Sequence, residues 1–132
     1  EMLGIAQQAF ETTLAYLEER KQFGVAIGSF QALQHRAAEL FCDIELCKSA
    51  LLKALQAIDE DSSSRALLAS LVKAKSGKTV QRAVNEALQM HGGMGMTDEF
   101  DVGFFMKRSA VTRQQYGDDY YHADRFARLR AY

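Results

Sequence analysis

Two segments hold the side chains best suited to chemistry: Arg20-Lys21-Gln22-Phe23-Gly24 and Gln89-Met90-His91-Gly92-Gly93-Met94-Gly95. Each sits where a long helical pattern ends. The first sets a cation, an amide and an aromatic ring at a helix-to-loop exit. The Arg20 guanidinium is a planar fork that pairs two oxygens of a pyrophosphate, which the point charge of a lysine does not imitate, and Phe23 can pack on a flat ring. The second places the Gln89 amide beside backbone that only glycine allows, since a Cβ at Gly92 or Gly93 would hold a ligand off. Together they suit a phosphate-bearing ligand with a planar ring. Taken singly, each has a plainer reading: an arginine that complements a helix dipole, and a glycine pair that caps a helix C-terminus.

The other reactive side chains do not assemble in sequence. His35, His91 and His122 are scattered, with no second histidine or carboxylate at ligand spacing, so no metal site is expected. His91 keeps some interest because it lies inside the glycine motif. Met90, Met94, Met96 and Met106 read as adaptable packing, and Glu18 and Glu19 as solvated ion-pair partners. Cys42 and Cys47 fall five residues apart on one expected helix. That spacing points them to different faces and prevents a bond between them, so a reduced cytoplasmic setting, or the mitochondrial matrix in a eukaryote, is expected.

Positioning these segments is a task for helices. The chain of 132 residues has the size of one domain, residues 1–132, and contains no proline, where average usage would give about six or seven. With 16 basic and 17 acidic residues, net charge −1, it has no broad basic field for nucleic acid or an anionic membrane. No apolar run approaches the roughly 18 to 20 residues that cross a bilayer, and no signal-peptide pattern opens the chain. Glu1-Met2-Leu3-Gly4-Ile5 is already in helical register without a capping residue, which reads as a piece of something longer.

Apolar stripes at helical spacing define the elements. Leu3, Ala6, Phe10, Leu14 and Leu17 mark a first helix, with Met2, Ile5, Ala9, Thr13 and Tyr16 as an adjacent stripe. Leu33 to Ile58 mark a second, ending at the polar turn Asp59–Ser64, whose Ser and Asp residues supply caps. Leu68 to Leu88 mark a third, in which the small pair Ser76-Gly77 permits close helix approach at about 1 kcal/mol for the glycine. The glycine run ends it. A fourth helix is expected from an Asp101 N-cap to about Tyr116, and a fifth from Asp119 to Arg130 after a break at Gly117. No segment alternates with period two, so no strand is expected. The fold class is all-α: an up-down-up-down four-helix bundle with a short C-terminal helix packed across one end.

The two segments in this order, the Phe30-Gln31 that follows the first, and the helices of matching length between them resemble the C-terminal helical domain of the acyl-CoA dehydrogenases, which are FAD-dependent flavoproteins. The resemblance covers nearly the whole chain. In that family the matching Arg-x-(Gln or Thr)-Phe-Gly segment binds the FAD of a neighbouring subunit, which carries Arg20, Gln22 and Phe23 over to that role. Gln31 lies where the family places an amide near the adenine side of the nucleotide. Gln89, Gly92 and Gly93 match Gln-x-x-Gly-Gly-x-Gly, whose backbone amides approach the FAD of the adjacent subunit. The resemblance therefore implies FAD as cofactor and at least a homodimer, usually a dimer of dimers. It also implies an acyl-CoA substrate held through domains outside this chain and an electron-accepting flavoprotein as partner.

Desaturation of an acyl thioester needs a carboxylate to take the α-proton as hydride leaves the β-carbon. Many members of the family keep it in a Tyr-Glu-Gly-Thr segment after the fourth helix. Counted without gaps from Gly92-Gly93, the glutamate falls on Tyr116, the glycine on Gly117 and the threonine on Asp118; a shift of one residue puts Gly117 in the glutamate's place. Neither is a base. Asp118 is the neighbouring carboxylate, but it is short and displaced; it suits the cap of the last helix, or contact with the flavin nucleotide in place of the threonine. Branches resembling isovaleryl-CoA dehydrogenase carry the glutamate on the first helix instead, at a place that would precede Glu1. Two functions follow: the FAD-contacting, oligomer-forming C-terminal domain of an acyl-CoA dehydrogenase, with no catalytic residue of its own, or a non-catalytic subunit of a heteromeric one. A plain helical interaction module would leave both motifs unexplained.

Overall fold

A computed structural model describes residues 1–97 and 99–132. Five helices follow one another: α1 (Met2–Glu19), α2 (Gln31–Asp59), α3 (Arg65–His91), α4 (Val102–Gln114) and α5 (Asp119–Leu129). The expected all-α bundle is present, with α3 at its centre and in contact with each of the other four. Two clusters form the core. Ala6, Leu40, Ile44, Val80 and Ala83 join α1, α2 and α3, while Ala9, Val84, Ala87 and Val102 join α1, α3 and α4. Ala6 and Ala9 pair with α3 positions that advance in the same direction, so α1 and α3 run parallel. Ala6, Ala9 and Ala83 have no exposed surface, and their small side chains let these two helices approach closely.

Charges key α2 to α3. Arg82 bridges Asp43 at 2.7 Å and Glu39, Lys75 meets Asp43 at 2.7 Å, and Arg36 meets Glu86 at 2.6 Å. The Lys75 hydrogen bond, followed by that of Arg82, holds the Asp43 carboxyl below its usual range against the effect of burial. These pairs are half exposed, so each adds at most about 1 kcal/mol and serves chiefly to set register.

Several expectations need correction. A short hairpin exists, with β1 (Lys21–Gln22) antiparallel to β2 (Val25–Ala26). Its central residues Phe23 and Gly24 have φ of 53° and 82°, the doubly left-handed pattern of a type I′ turn, whose twist suits paired strands. Strands of two residues are too short for alternation to appear in the sequence. Helix α5 does not cross the end of the bundle. Asp119 packs on Gly77 while Arg125 donates to Ser70 Oγ and to the Ala66 carbonyl, so α5 runs back along the first half of α3. Finally, Ser64 and Asp101 stand at N-cap positions without side-chain cap bonds, whereas Asp118 Oδ1 accepts from Tyr121 N at 2.8 Å and caps α5. Helix α4 ends at Gln114, near its expected end, where Gln115 turns extended (φ −60°, ψ 130°) and Tyr116 and Gly117 follow with φ of 62° and 94°. Among the described residues no helix is long and apolar enough to cross a membrane, and no group of side chains could hold a metal ion.

Gly77 is where α5 meets α3. A Cβ there would lie 3.1 Å from the Asp119 Cβ, and Asp119 is buried and paired with Arg113 at 3.1 Å, so it has little room to yield. Gly77→Ala is therefore expected to lose about 1 kcal/mol despite the better helix propensity of alanine. Gly4→Ala in α1, where nothing lies within 4 Å, should gain about 0.5 to 1 kcal/mol. Denaturant midpoints check the pair. Equal stabilisation by both would mean that α5 is not held against α3.

Candidate functional site

Because α1 and α3 run parallel, their C-termini finish side by side, and so do the two segments that follow them. Arg20 is the extended C-cap of α1; its N–H donates to the Tyr16 carbonyl at 2.9 Å, and its own carbonyl accepts from Ile27 N at 2.8 Å, closing the base of the hairpin. Its side chain is exposed. Gln22 follows on β1 with its amide donating to the Lys21 carbonyl.

At the end of α3, Gly92 takes φ 59° and ψ −138°, a conformation that favours glycine. The chain then tightens into a 3₁₀ turn over Gly92–Met96 instead of leaving as an open loop. The Gly92 N–H is engaged with the Leu88 and Gln89 carbonyls, so this amide, which the family pattern would offer to a ligand, is taken by the helix. What Gly92 and Gly93 offer is space: a Cβ on either would meet nothing within 4 Å. Gly95 is different, being buried, with the Leu88 carbonyl 3.1 Å and the His91 Cβ 3.0 Å from where its Cβ would stand. It is needed for packing.

The two segments share an open cleft of about 520 Å³, lined by Tyr16, Arg20, Gln22, Ile27, Leu33 and the Gln89–Met94 turn. A second depression of about 500 Å³, lined by Asn85, Leu88, Gln89, Gly92, Gly93 and Met96, lies on the other side of the glycine pair. Of the residues expected at the site, Arg20, Gln22, Gln89, Gly92 and Gly93 come together. Phe23 and Gln31 do not line the cleft. Phe23 is 93% exposed at the hairpin tip, edge-on to Phe30 at 6.2 Å, and Gln31 is the exposed first residue of α2. Asp118 is remote. It acts on Lys73, which precedes Gln89 by 16 residues of α3, about 24 Å of helix.

Of the floor of the cleft, sequence reading marked His91 through the glycine motif but not Tyr16 or Phe100 as its partners. The Tyr16 and His91 rings stack at 4.3 Å with 21° between planes, Phe100 closes edge-on against both, and Tyr16 Oη donates to the His91 carbonyl at 3.4 Å. Tyr16 reads as one more member of an apolar stripe, and its position under Arg20, one turn earlier, becomes significant once the parallel pairing with α3 is known. His91 is 3% exposed, and burial pushes its imidazole below the usual histidine value.

Beside the first half of α3, the turn after α4 is clamped from several sides. Lys73 Nζ donates to the Thr112 and Arg113 carbonyls, Arg113 pairs with buried Asp119, and His122 Nε2 bonds the Tyr116 carbonyl at 2.8 Å. Burial pushes the Lys73 ammonium down, opposed by Asp119 and Asp118. The turn presents the Tyr116 phenol, 92% exposed. Its carboxylates are already engaged, Asp118 as a cap and Asp119 in the ion pair.

The cleft thus offers one guanidinium, two amides and an open glycine face, which match a phosphate-bearing planar ligand. Among the described residues it offers no accessible acid or base, because the His91 ring is sealed. It is also one-sided, so a long ligand lying in it would need a second surface to cover it.

The sequence model of the family described as acyl-CoA dehydrogenase, C-terminal domain, matches residues 1–129. The probable acyl-CoA dehydrogenase YngJ of Bacillus subtilis (strain 168) is 40% identical over 100 residues, covering 76% of this chain and 26% of that protein. Among solved structures, the FAD complex of PigA superposes with a TM-score of 0.92 at 25% identity, over 98% of this chain and 34% of that one. The glutaryl-coenzyme A dehydrogenase glutaryl-CoA complex superposes with a TM-score of 0.93 at 26% identity, over 98% of this chain and 33% of that one. This chain spans about a quarter to a third of the length of these proteins. With a match over nearly every residue, on a fold that brings the two motifs to one cleft, the chain belongs to the acyl-CoA dehydrogenase family as its C-terminal helical domain.

Proposed function

We propose that this domain contacts FAD and builds the oligomer of an enzyme that desaturates acyl-CoA thioesters between Cα and Cβ. The observation that carries the reading is the single cleft shared by Arg20, Gln22, Gln89 and the Gly92-Gly93 face. The Arg20 fork suits the pyrophosphate, the two amides suit the polar groups of the nucleotide, and the glycine face admits close approach. Phe23 stands beyond the cleft as an aromatic surface for whatever covers the ligand. Bound FAD supplies a hydride acceptor. The described residues of the cleft bind and orient.

An open cleft favours a ligand shared between surfaces, which supports a homodimer or homotetramer with FAD across the subunit boundary. The acyl-CoA, the α-proton base and the contact with an electron-accepting flavoprotein then belong to other parts of the parent protein. A second reading, a non-catalytic subunit of a heteromeric acyl-CoA dehydrogenase, is favoured by the turn at Tyr116, which holds a phenol and a capping aspartate where a base could stand.

Arg20→Ala is expected to weaken FAD retention about 10- to 100-fold, the loss of a charge-assisted bidentate contact, with helix content by circular dichroism unchanged. Full retention would refute the assignment of Arg20. In the intact protein, anaerobic addition of short, medium, long, branched and steroid-like acyl-CoAs should bleach the flavin absorbance with one class. Asp118→Asn, which preserves the cap, should leave the bleaching rate within about twofold. A loss of a thousandfold or more would make Asp118 the base. Tightly held flavin that no acyl-CoA bleaches would favour the non-catalytic subunit.

A further inference from the structure

A phenylalanine or a leucine would fill the space under the glycine turn, yet an imidazole occupies it. His91 Nδ1 donates to the Ala87 carbonyl at 2.7 Å, while Nε2 is sealed from water with no hydrogen-bond partner among the described residues. A buried lone pair without a donor is unfavourable, and packing alone does not require it.

The ring lies where the walls of the cleft converge. Tyr16, stacked on it, is one helical turn before Arg20; Gly92 follows it directly; and Phe100 comes from the segment that leads into α4. Through these contacts, and through the bond from Tyr16 Oη to the His91 carbonyl, the ring determines how far the Gly92-Gly93 backbone stands from the end of α1.

We propose that His91 is a positioning residue for the cofactor: as a neutral imidazole it locks the glycine turn against Tyr16 and Phe100, and its protonation releases the turn and loosens FAD. The inference rests on the reading that the cleft binds FAD. A proton at Nε2 would create a donor with no acceptor among the described residues. The titratable group packed on the ring from α1 is the Tyr16 phenol. Phe100, from the segment before α4, brings no charge, and its own helix contributes the Ala87 carbonyl. No charged side chain among the described residues offsets the effect of burial, which the Ala87 bond alone opposes. The sign follows. With the folded value lowered below the ordinary 6.5, the locked state binds fewer protons than the released state, so the lock is complete above pH 6.5 and is lost as pH falls through the lowered value.

The test measures FAD affinity of the intact apoprotein by flavin fluorescence at pH 8.0, 6.5 and 5.5, for wild type and for His91→Phe, which keeps the stacking and cannot titrate. Wild type is expected to bind at pH 8.0 and to weaken about fivefold or more by pH 5.5, while His91→Phe changes less than about twofold over the same range. Equal acid sensitivity in both, or none in wild type, overturns the role of His91. Failure of wild type to bind FAD at pH 8.0 would instead refute the FAD reading on which the inference rests. If His91→Phe does not fold by circular dichroism, His91→Leu carries the same comparison.

Discussion

The close parallel packing of α1 on α3 is the contact on which the rest depends. Ala6 and Ala9 meet Val80, Ala83, Val84 and Ala87 with almost no exposed surface, and larger residues at these positions would push the helices apart. Parallel helices end at the same end of a bundle. Helix α2 must therefore carry the chain away from the end of α1, and α3 must carry it back, before the second motif can stand beside the first. The long sequence separation of the two motifs is the length of that excursion, and the alanine seam brings Arg20 and the glycine turn to one cleft.

From that seam the other elements take their places. Helix α3 is enclosed by α1, α2, α4 and α5, and its buried serines are satisfied within the helix itself: Ser76 Oγ donates to the Val72 carbonyl and Ser70 Oγ to the Ala66 carbonyl. The two ends of α3 then differ in character. One carries the cleft, with its single cation and amides. The other carries the clamp of Lys73, Arg113 and Asp119, which holds a turn rather than a ligand.

The helices were legible because nothing competes with them: no proline interrupts the stripes, and Leu40, Ile44, Val80 and Val84 fall at the spacing that a buried face requires. The cleft was legible through the types of Arg20, Gln89 and the glycines. Tertiary placement was not. The Ser76-Gly77 pair announces a close approach without saying that α5 is the partner. Gly92 and Gly95 look equivalent in sequence, yet one faces open space and the other is filled by Leu88 and His91. Tyr16 and His91 lie 75 residues apart, and a stacking pair at that distance becomes visible only after the parallel register is known. The hairpin was hidden for another reason, since a phenylalanine at a left-handed position is not the residue that a type I′ turn prefers.

Phe23 and Tyr116 share that oddity. Both are aromatic, both take left-handed φ (53° and 62°), both precede a left-handed glycine, and both are more than nine-tenths exposed. An asparagine would satisfy the backbone at lower strain, and a polar residue would satisfy the solvent. Each position therefore contradicts local preference twice, without a compensating contact of matching size inside this chain. Local rules that fail in a fold otherwise consistent with them mark surfaces shaped for something beyond the chain. One such residue sits at the tip of the hairpin beyond the cleft and the other at the clamped turn after α4. The domain thus has an alanine-packed centre, with one aromatic side chain held out at the hairpin tip and another at the turn after α4.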